Sequence, residues 1–217
     1  MSDKLFQKLV QIFEKVRVRD YGSSRDYQSS TFYHIAYAYY IVYPINENEI
    51  KMLLHIATEE QLTLSVISTG KNWGYGSKQP RKSVSIIVDL SLMNQIIYLN
   101  PKELYARIQP GVTQLQMVNY LQKHYPNLIL DLTGGPLSAS IIGNALTHGH
   151  GIGMLGNHAD AIFNLSVILP NQKRIESGNL RFNTAKKIAH LPGHILGPNF
   201  DKLFNQSEYG IVIESSV

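Results

Sequence analysis

The residues with the clearest chemical potential are Ser68-Thr69-Gly70-Lys71-Asn72-Trp73-Gly74-Tyr75-Gly76, directly after the apolar run Leu64-Ser65-Val66-Ile67. Three glycines within seven positions let a backbone take positive φ and approach a ligand closely. Hydroxyls and free N–H groups in such a turn make an anion cradle, and phosphate or pyrophosphate is the guest it fits. The order G-x-x-x-G-x-G is not a Walker loop, which needs G-x-x-x-x-G-K-[ST], nor the G-x-G-x-x-G that opens a helix in dinucleotide folds. Lys71 could pair with phosphate or stay solvated, and Trp73 could stack on a ring or pack. The loop alone reads equally as an ordinary glycine-rich turn.

A second dense run is Gly143-Asn144-Ala145-Leu146-Thr147-His148-Gly149-His150-Gly151-Ile152-Gly153. Glycines 149, 151 and 153 bare a backbone surface that could lie against a flat ligand, with Ser138, Ser140 and Asn144 as polar contacts. His148, His150 and His158 also form an H-x-H pair with a third imidazole, a pattern that can bind zinc. Asp160 is the one carboxylate at comparable spacing, and a hydrogen-bonded or solvated histidine is the commoner state. Asp89 and Asp131 each end or follow an apolar strand. Either could serve as a general base if its pKa were raised; a carboxylate satisfying strand-end donors is the simpler account. No G-x-S-x-G nucleophile elbow is present.

The elements that must position these residues are legible. Leu5, Val10, Ile12, Phe13 and Val16 suggest a short amphipathic N-terminal helix, followed by a polar linker over 17–31. Tyr37 to Pro44 reads as a strand ended by proline. Asn46 with Glu49 three residues on resembles a capping box, and Ile50, Leu53, Leu54 and Ala57 continue at helical spacing. Tyr39 to Ile67 is thus a strand–helix–strand unit with the glycine loop at its carboxyl end, where open α/β sheets place ligands. Ser85–Leu90 is a further strand. Residues 96–99 and 104–108 flank a hairpin turn, and Pro110-Gly111-Val112 breaks the sheet. Thr113 caps a helix through Leu115, Val118 and Leu121. The stretch 131–156 is irregular apart from a short helix near 140–146, and 162–169 with 173–177 form a last hairpin. The expected class is α+β, with an N-terminal helix and linker over 1–36, a first α/β subdomain over 37–90 and a more antiparallel one over 91–217.

At 217 residues the chain is long enough for a core without staples. It has no cysteine, which excludes disulfides, Cys-ligated zinc and thiol catalysis. Net charge is +4 with scattered basic residues, which favours an anionic ligand over a nucleic-acid patch. No apolar run is long enough to span a membrane, so cytoplasmic residence is expected.

Taken as an ordered set, the motifs resemble one family. They are Ser68-Thr69-Gly70-x-Asn72-x-Gly74-Tyr75-Gly76; Val88-Asp89-Leu90-Ser91-x-Met93-Asn94-x-Ile96; Gln109-Pro110-Gly111-Val112-Thr113; Ile142-Gly143-Asn144-Ala145-Leu146; Gly149-x-Gly151; Gly156-Asn157-His158; and Leu203-Phe204-x-Gln206-Ser207-x-x-Gly210-Ile211-Val212. Over about residues 40–217 the chain resembles the FAD-binding domain of the vanillyl-alcohol oxidase / para-cresol methylhydroxylase flavoproteins. The resemblance implies FAD held between two α+β subdomains, with Ser68 to Gly76 gripping the pyrophosphate. It implies that Pro110, Gly111, Ser138, Ser140, Gly143, Asn144, Gly149, Gly151 and Gly153 line the cofactor, and that the backbone around Ile211 meets its flavin end.

The departures from the family pattern carry expectations too. Asn72 stands where some relatives have a flavin-linking histidine, so FAD is expected to be non-covalent. Thr133-Gly134-Gly135-Pro136 lacks the carboxylate expected near flavin N5, Asn157 replaces an aspartate, and Gln172 replaces a hairpin glycine. The family's substrate-binding cap domain is expected to be absent. The implied function is the FAD-binding portion of a flavin-dependent oxidoreductase in which substrate hydride passes to flavin N5; the alternative is a stand-alone FAD-binding module without turnover. An open strand edge at Val217 would invite a separate cap-domain chain or a second copy.

Overall fold

The computed structural model describes residues 2–29, 36–71, 78–151, 156–178, 200–206 and 209–217. The chain divides into two compact units, Met1–Met93 and Asn94–Val217.

The first unit opens with helix α1 (Ser2–Phe13), whose Leu9 and Phe13 are fully buried. It ends where Glu14 turns to positive φ, which leaves Val16 exposed beyond the expected apolar stripe. Strand β1 (Val18–Asp20) follows and pairs antiparallel with β2 (Tyr40–Val42). The segment expected as a polar linker is therefore partly sheet, and Tyr27 within it is fully buried. Val18, Tyr21 and Tyr27 turn inward among mostly exposed polar residues, a spacing with no period to read from sequence. Helix α2 (Glu47–Glu59) starts at Asn46, whose side chain accepts from the Glu49 N–H at 3.0 Å. The Glu49 carboxylate accepts from the Ile45 N–H, one residue before the cap, and pairs with Arg17. Strands β3 (Leu64–Ile67) and β4 (Ile86–Asp89) complete a sheet of order β1-β2-β4-β3. Both β2 and β3 run parallel to β4, which lies between them. The strand–helix–strand unit thus joins non-neighbours. β4 is buried along its whole length, as its near-continuous apolar run requires of a central parallel strand.

The second unit is a five-stranded antiparallel sheet of β5 (Ile96–Asn100), β6 (Tyr105–Ile108), β7 (Phe163–Ile168), β8 (Arg174–Glu176) and β9 (Ile211–Ser216), in the order β5-β6-β9-β7-β8. Helices α3 (Gln114–His124) and α4 (Ile141–Leu146) contribute to its core. There Met117, Leu121, Ile142 and Ala145 pack with Ala106, Ile108, Leu165, Val167 and Val212 from the strands. Arg107, which alternates with two of those residues, is also buried and bonds to Ser166 Oγ at 2.5 Å and Glu214 Oε2 at 3.1 Å. β9 lies inside the sheet, with Ser216 opposite Arg107 on one side and Phe163 on the other. The open edge expected at Val217 does not exist: the Val217 backbone exchanges two bonds with Ala106. The pairing is long-range in sequence, so the strand's place in the sheet is invisible to local pattern. Among the described residues no helix is long and apolar enough to cross a membrane.

Candidate functional site

In the first unit the loop after β3 leaves the sheet at the carboxyl end of parallel strands. Gly70 has φ 61°, the left-handed region that favours glycine. Ser68, Thr69 and Gly70 are half-buried and Lys71 is exposed. Asn72, Trp73, Gly74, Tyr75 and Gly76 lie outside the described residues. Thr69 lines a cavity of about 550 Å³ with Arg17, Arg19, Tyr43, Lys78 and Asp89 among its other walls. Tyr43 follows β2, Thr69 follows β3 and Asp89 ends β4, so the cavity sits where the three parallel strands deliver their carboxyl ends. Its cations are held in place. Arg17 makes two bonds to Glu49, Arg19 lies 5.1 Å from the Tyr43 ring centre, and Lys78 lies 4.1 Å from that of Tyr27 and 3.1 Å from Asp26.

Asp89 is 1% exposed and accepts from the Ser91 N–H at 2.9 Å and the Tyr27 hydroxyl at 2.6 Å. Of its two sequence readings, the structure shows the strand-end acceptor. Burial first, then the charge of Asp89, pushes the Tyr27 hydroxyl far above the usual tyrosine range, so it stays a donor.

In the second unit the predicted residues converge through hydrogen bonds. Ser140 Oγ donates to the Pro110 carbonyl at 2.5 Å and accepts from the Gly143 N–H at 2.8 Å, capping α4. Thr113 bridges Ser140, and the Ile141 N–H reaches the Val112 carbonyl, which ties the Pro110–Gly111 break to the helix. Thr133 bridges Gly151, and the Gly149 N–H bonds to the Asn144 carbonyl at 2.8 Å. Ser138 is exposed. Gly153 lies outside the described residues. Ile211 opens β9 opposite Ile168 and is buried; no described contact joins it to this cluster.

The glycines have a further structural reason. A Cβ at Gly149 would overlap the Asn144 amide, and one at Gly151 would overlap the His158 ring. The space beside these two positions is taken by the chain's own side chains. His158 is 7% exposed, and its Nδ1 lies 2.9 Å from Asn144 Oδ1. His148 and His150 are exposed, and among the described residues no group of three His, Cys, Asp or Glu could hold a metal.

Gln114 has no counterpart in the sequence reading. It is 1% exposed, accepts from the Thr133 N–H at 2.8 Å, and donates to Thr133 Oγ1 at 3.0 Å and the Pro136 carbonyl at 3.1 Å. One amide therefore shapes the irregular stretch 133–136. Its place as the first residue of a capped helix was the only available signal.

Comparison with known proteins decides what this framework is. Residues 38–178 match the family described as FAD binding domain. The chain belongs to this family. Among curated FAD-family relatives, it is 38% identical over 175 residues to 1'-carboxy-chondrochloren decarboxylase of Chondromyces crocatus, covering 80% of this chain and 32% of that protein. It is 30% identical over 171 residues to the 4-cresol dehydrogenase [hydroxylating] flavoprotein subunit of Pseudomonas putida, covering 75% and 31%. The crystal structure of p-cresol methylhydroxylase with substrate bound matches with a TM-score of 0.89 and 27% identity over 99% of this chain and 42% of that one. The chain spans about a third of the length of the curated relatives it matches. The α+β architecture expected from sequence is that of the para-cresol methylhydroxylase FAD-binding fold, and FAD is the cofactor. The residues present fit it: the left-handed turn at Gly70 is a backbone form suited to phosphate, and it stands where parallel strands end.

Proposed function

We propose that this chain is the FAD-binding portion of a flavin-dependent oxidase or dehydrogenase. FAD, when bound, supplies the acceptor for a hydride leaving the substrate, at flavin N5. In this reading Ser68, Thr69, Gly70 and Lys71 with the loop that follows hold the pyrophosphate. Ser140, bonded to the Pro110 carbonyl and the Gly143 N–H, holds the start of α4 in place beside the ligand. The ribbon of Gly149 and Gly151 presents bare backbone, braced from beneath by Asn144 and His158. The attachment is non-covalent, and residence is cytoplasmic. The substrate class is a para-alkylated phenol, shared by the names of the cresol dehydrogenase and the cresol methylhydroxylase. The observation that carries the reading is the family match over residues 38–178.

Titrating the purified full chain into FAD and following flavin fluorescence tests the binding. Saturable quenching at one FAD per chain supports it, and unchanged fluorescence overturns it. Anaerobic addition of 4-cresol to the loaded protein then separates the two functions. Bleaching of the flavin band supports turnover. A stable spectrum favours a binding module without turnover.

A further inference from the structure

Among the described residues, two buried polar atoms near the glycine ribbon find no hydrogen-bond partner: His158 Nε2 and Asp131 Oδ2. They lie 3.9 Å apart. Both are closed to solvent, and an unpaired buried polar atom costs about 1–3 kcal/mol, so the arrangement calls for a hydrogen between them. For a neutral ring, Asn144 decides whether one is available. If Asn144 Oδ1 accepts from Nδ1–H, then Nε2 shows a bare lone pair to a carboxylate. If the Asn144 amide is turned so that Nδ2–H donates to Nδ1, the ring proton sits on Nε2 and points at Asp131. The second arrangement satisfies all three groups, and the hydrogen-bond network sets amide orientation and ring tautomer. A displacement of about 1 Å brings the pair to hydrogen-bond distance.

We propose that Asp131, His158 and Asn144 form a latch in which the carboxylate fixes the His158 tautomer, and through it the ribbon that receives the flavin nucleotide. Asp131 and His158 are positioning residues. The ring occupies the space a side chain at residue 151 would fill, and the His158 N–H donates to the Gly149 carbonyl at 3.1 Å. Asn144, the third member, takes the Gly149 N–H on its carbonyl at 2.8 Å. The Gly151 N–H is tied to Gly156 at 2.9 Å, and Thr133, two residues after Asp131, bridges Gly151. Asn144 and His158 therefore reach the same ribbon through both backbone and side chain, and Asp131 through the segment that carries Thr133. The role in cofactor affinity rests on the FAD reading above; the tautomer does not.

The test uses the full chain and three versions of residue 131. Nitrogen-15 NMR of the imidazole without FAD is expected to show Nε2 protonated and Nδ1 accepting. Asp131→Ala should shift the ring toward the other tautomer and speed amide exchange at Gly149 and Gly151 about tenfold, the equivalent of one lost bond. Asp131→Asn keeps an acceptor oxygen and should hold the wild-type tautomer. An Nδ1-protonated ring in the wild type, or identical ring signals in Asp131→Ala, overturns the latch. FAD affinity should fall about tenfold in Asp131→Ala and recover in Asp131→Asn. An unchanged affinity alongside an altered tautomer overturns the link to the cofactor. If the wild type itself binds no FAD, the FAD reading falls while ring signals and exchange still judge the latch. Asp131 Oδ2 is buried but its side chain is 30% exposed, so truncation leaves the core intact, which a thermal melt checks.

Discussion

Arg17 and Glu49 meet in two parallel bonds of 2.6 and 2.7 Å, with both side chains 11% exposed. The pair joins the start of β1 to the first turn of α2. The bond to Glu49 holds the Arg17 guanidinium above its usual pKa, so the charge persists at any working pH. Glu49 also caps the Ile45 N–H, and Arg17 lines the cavity of the first unit. Arg17→Met leaves a carboxylate without its cation in a largely buried site. A loss of about 3 kcal/mol is expected by urea denaturation. A loss under about 1 kcal/mol would show the pair to be an ordinary surface contact.

The Tyr27–Asp89 bond predicts an alkaline limit. Tyr27 has a folded pKa far above its unfolded value of about 10. Above that pH the unfolded chain loses a proton that the folded chain keeps, so the unfolded state binds fewer protons and stability falls as pH rises. The contribution is complete below about pH 10 and shrinks above it by about 1.4 kcal/mol per pH unit for this group. Tyr27→Phe should cost about 1–3 kcal/mol at neutral pH by leaving Asp89 short of a donor. It should also remove one proton from the alkaline slope. Parallel slopes in the two proteins would refute the assignment.

Gly70 tests the phosphate turn. At φ 61° an alanine is strained by about 1–2 kcal/mol, whereas asparagine tolerates the conformation. Gly70→Ala should lower both stability and FAD affinity, and Gly70→Asn should recover most of both. Equal affinity for FAD in all three proteins would separate the turn from the cofactor.

Gln114→Leu should remove four hydrogen bonds from the 133–136 stretch and strand the buried Thr133 N–H. A loss of about 2–3 kcal/mol is expected, with faster amide exchange at Thr133 and Gly135. The Gly135 N–H depends on Thr133 Oγ1, so protection there should fall even though Gln114 does not touch that nitrogen. Unaltered exchange at Gly135 would mean the turn holds itself.

Most of the elements were legible because their signals are local. Asn46, Thr113 and Ser140 each cap the expected helix through their own side chains, and a cap depends on residues three apart. β3, its glycine turn and both hairpins follow from alternation and turn residues in the same way. The strand at 18–20 was hidden because three residues cannot establish a period. β4 standing between β2 and β3, and β9 inside its sheet, depend on partners tens of residues away.

By itself the sequence determined which backbone segments are bare, where helices begin, and that the ordered motifs belong to an FAD-binding family. Tertiary structure alone decided what fills the space beside those glycines. Gly149 and Gly151 are small because Asn144 and His158 arrive there from α4 and from beyond the ribbon. A missing side chain shows in one dimension; the atoms that claim its room are brought by the fold. The same holds for Asp89, whose role as an acceptor follows only once Tyr27 is folded against it.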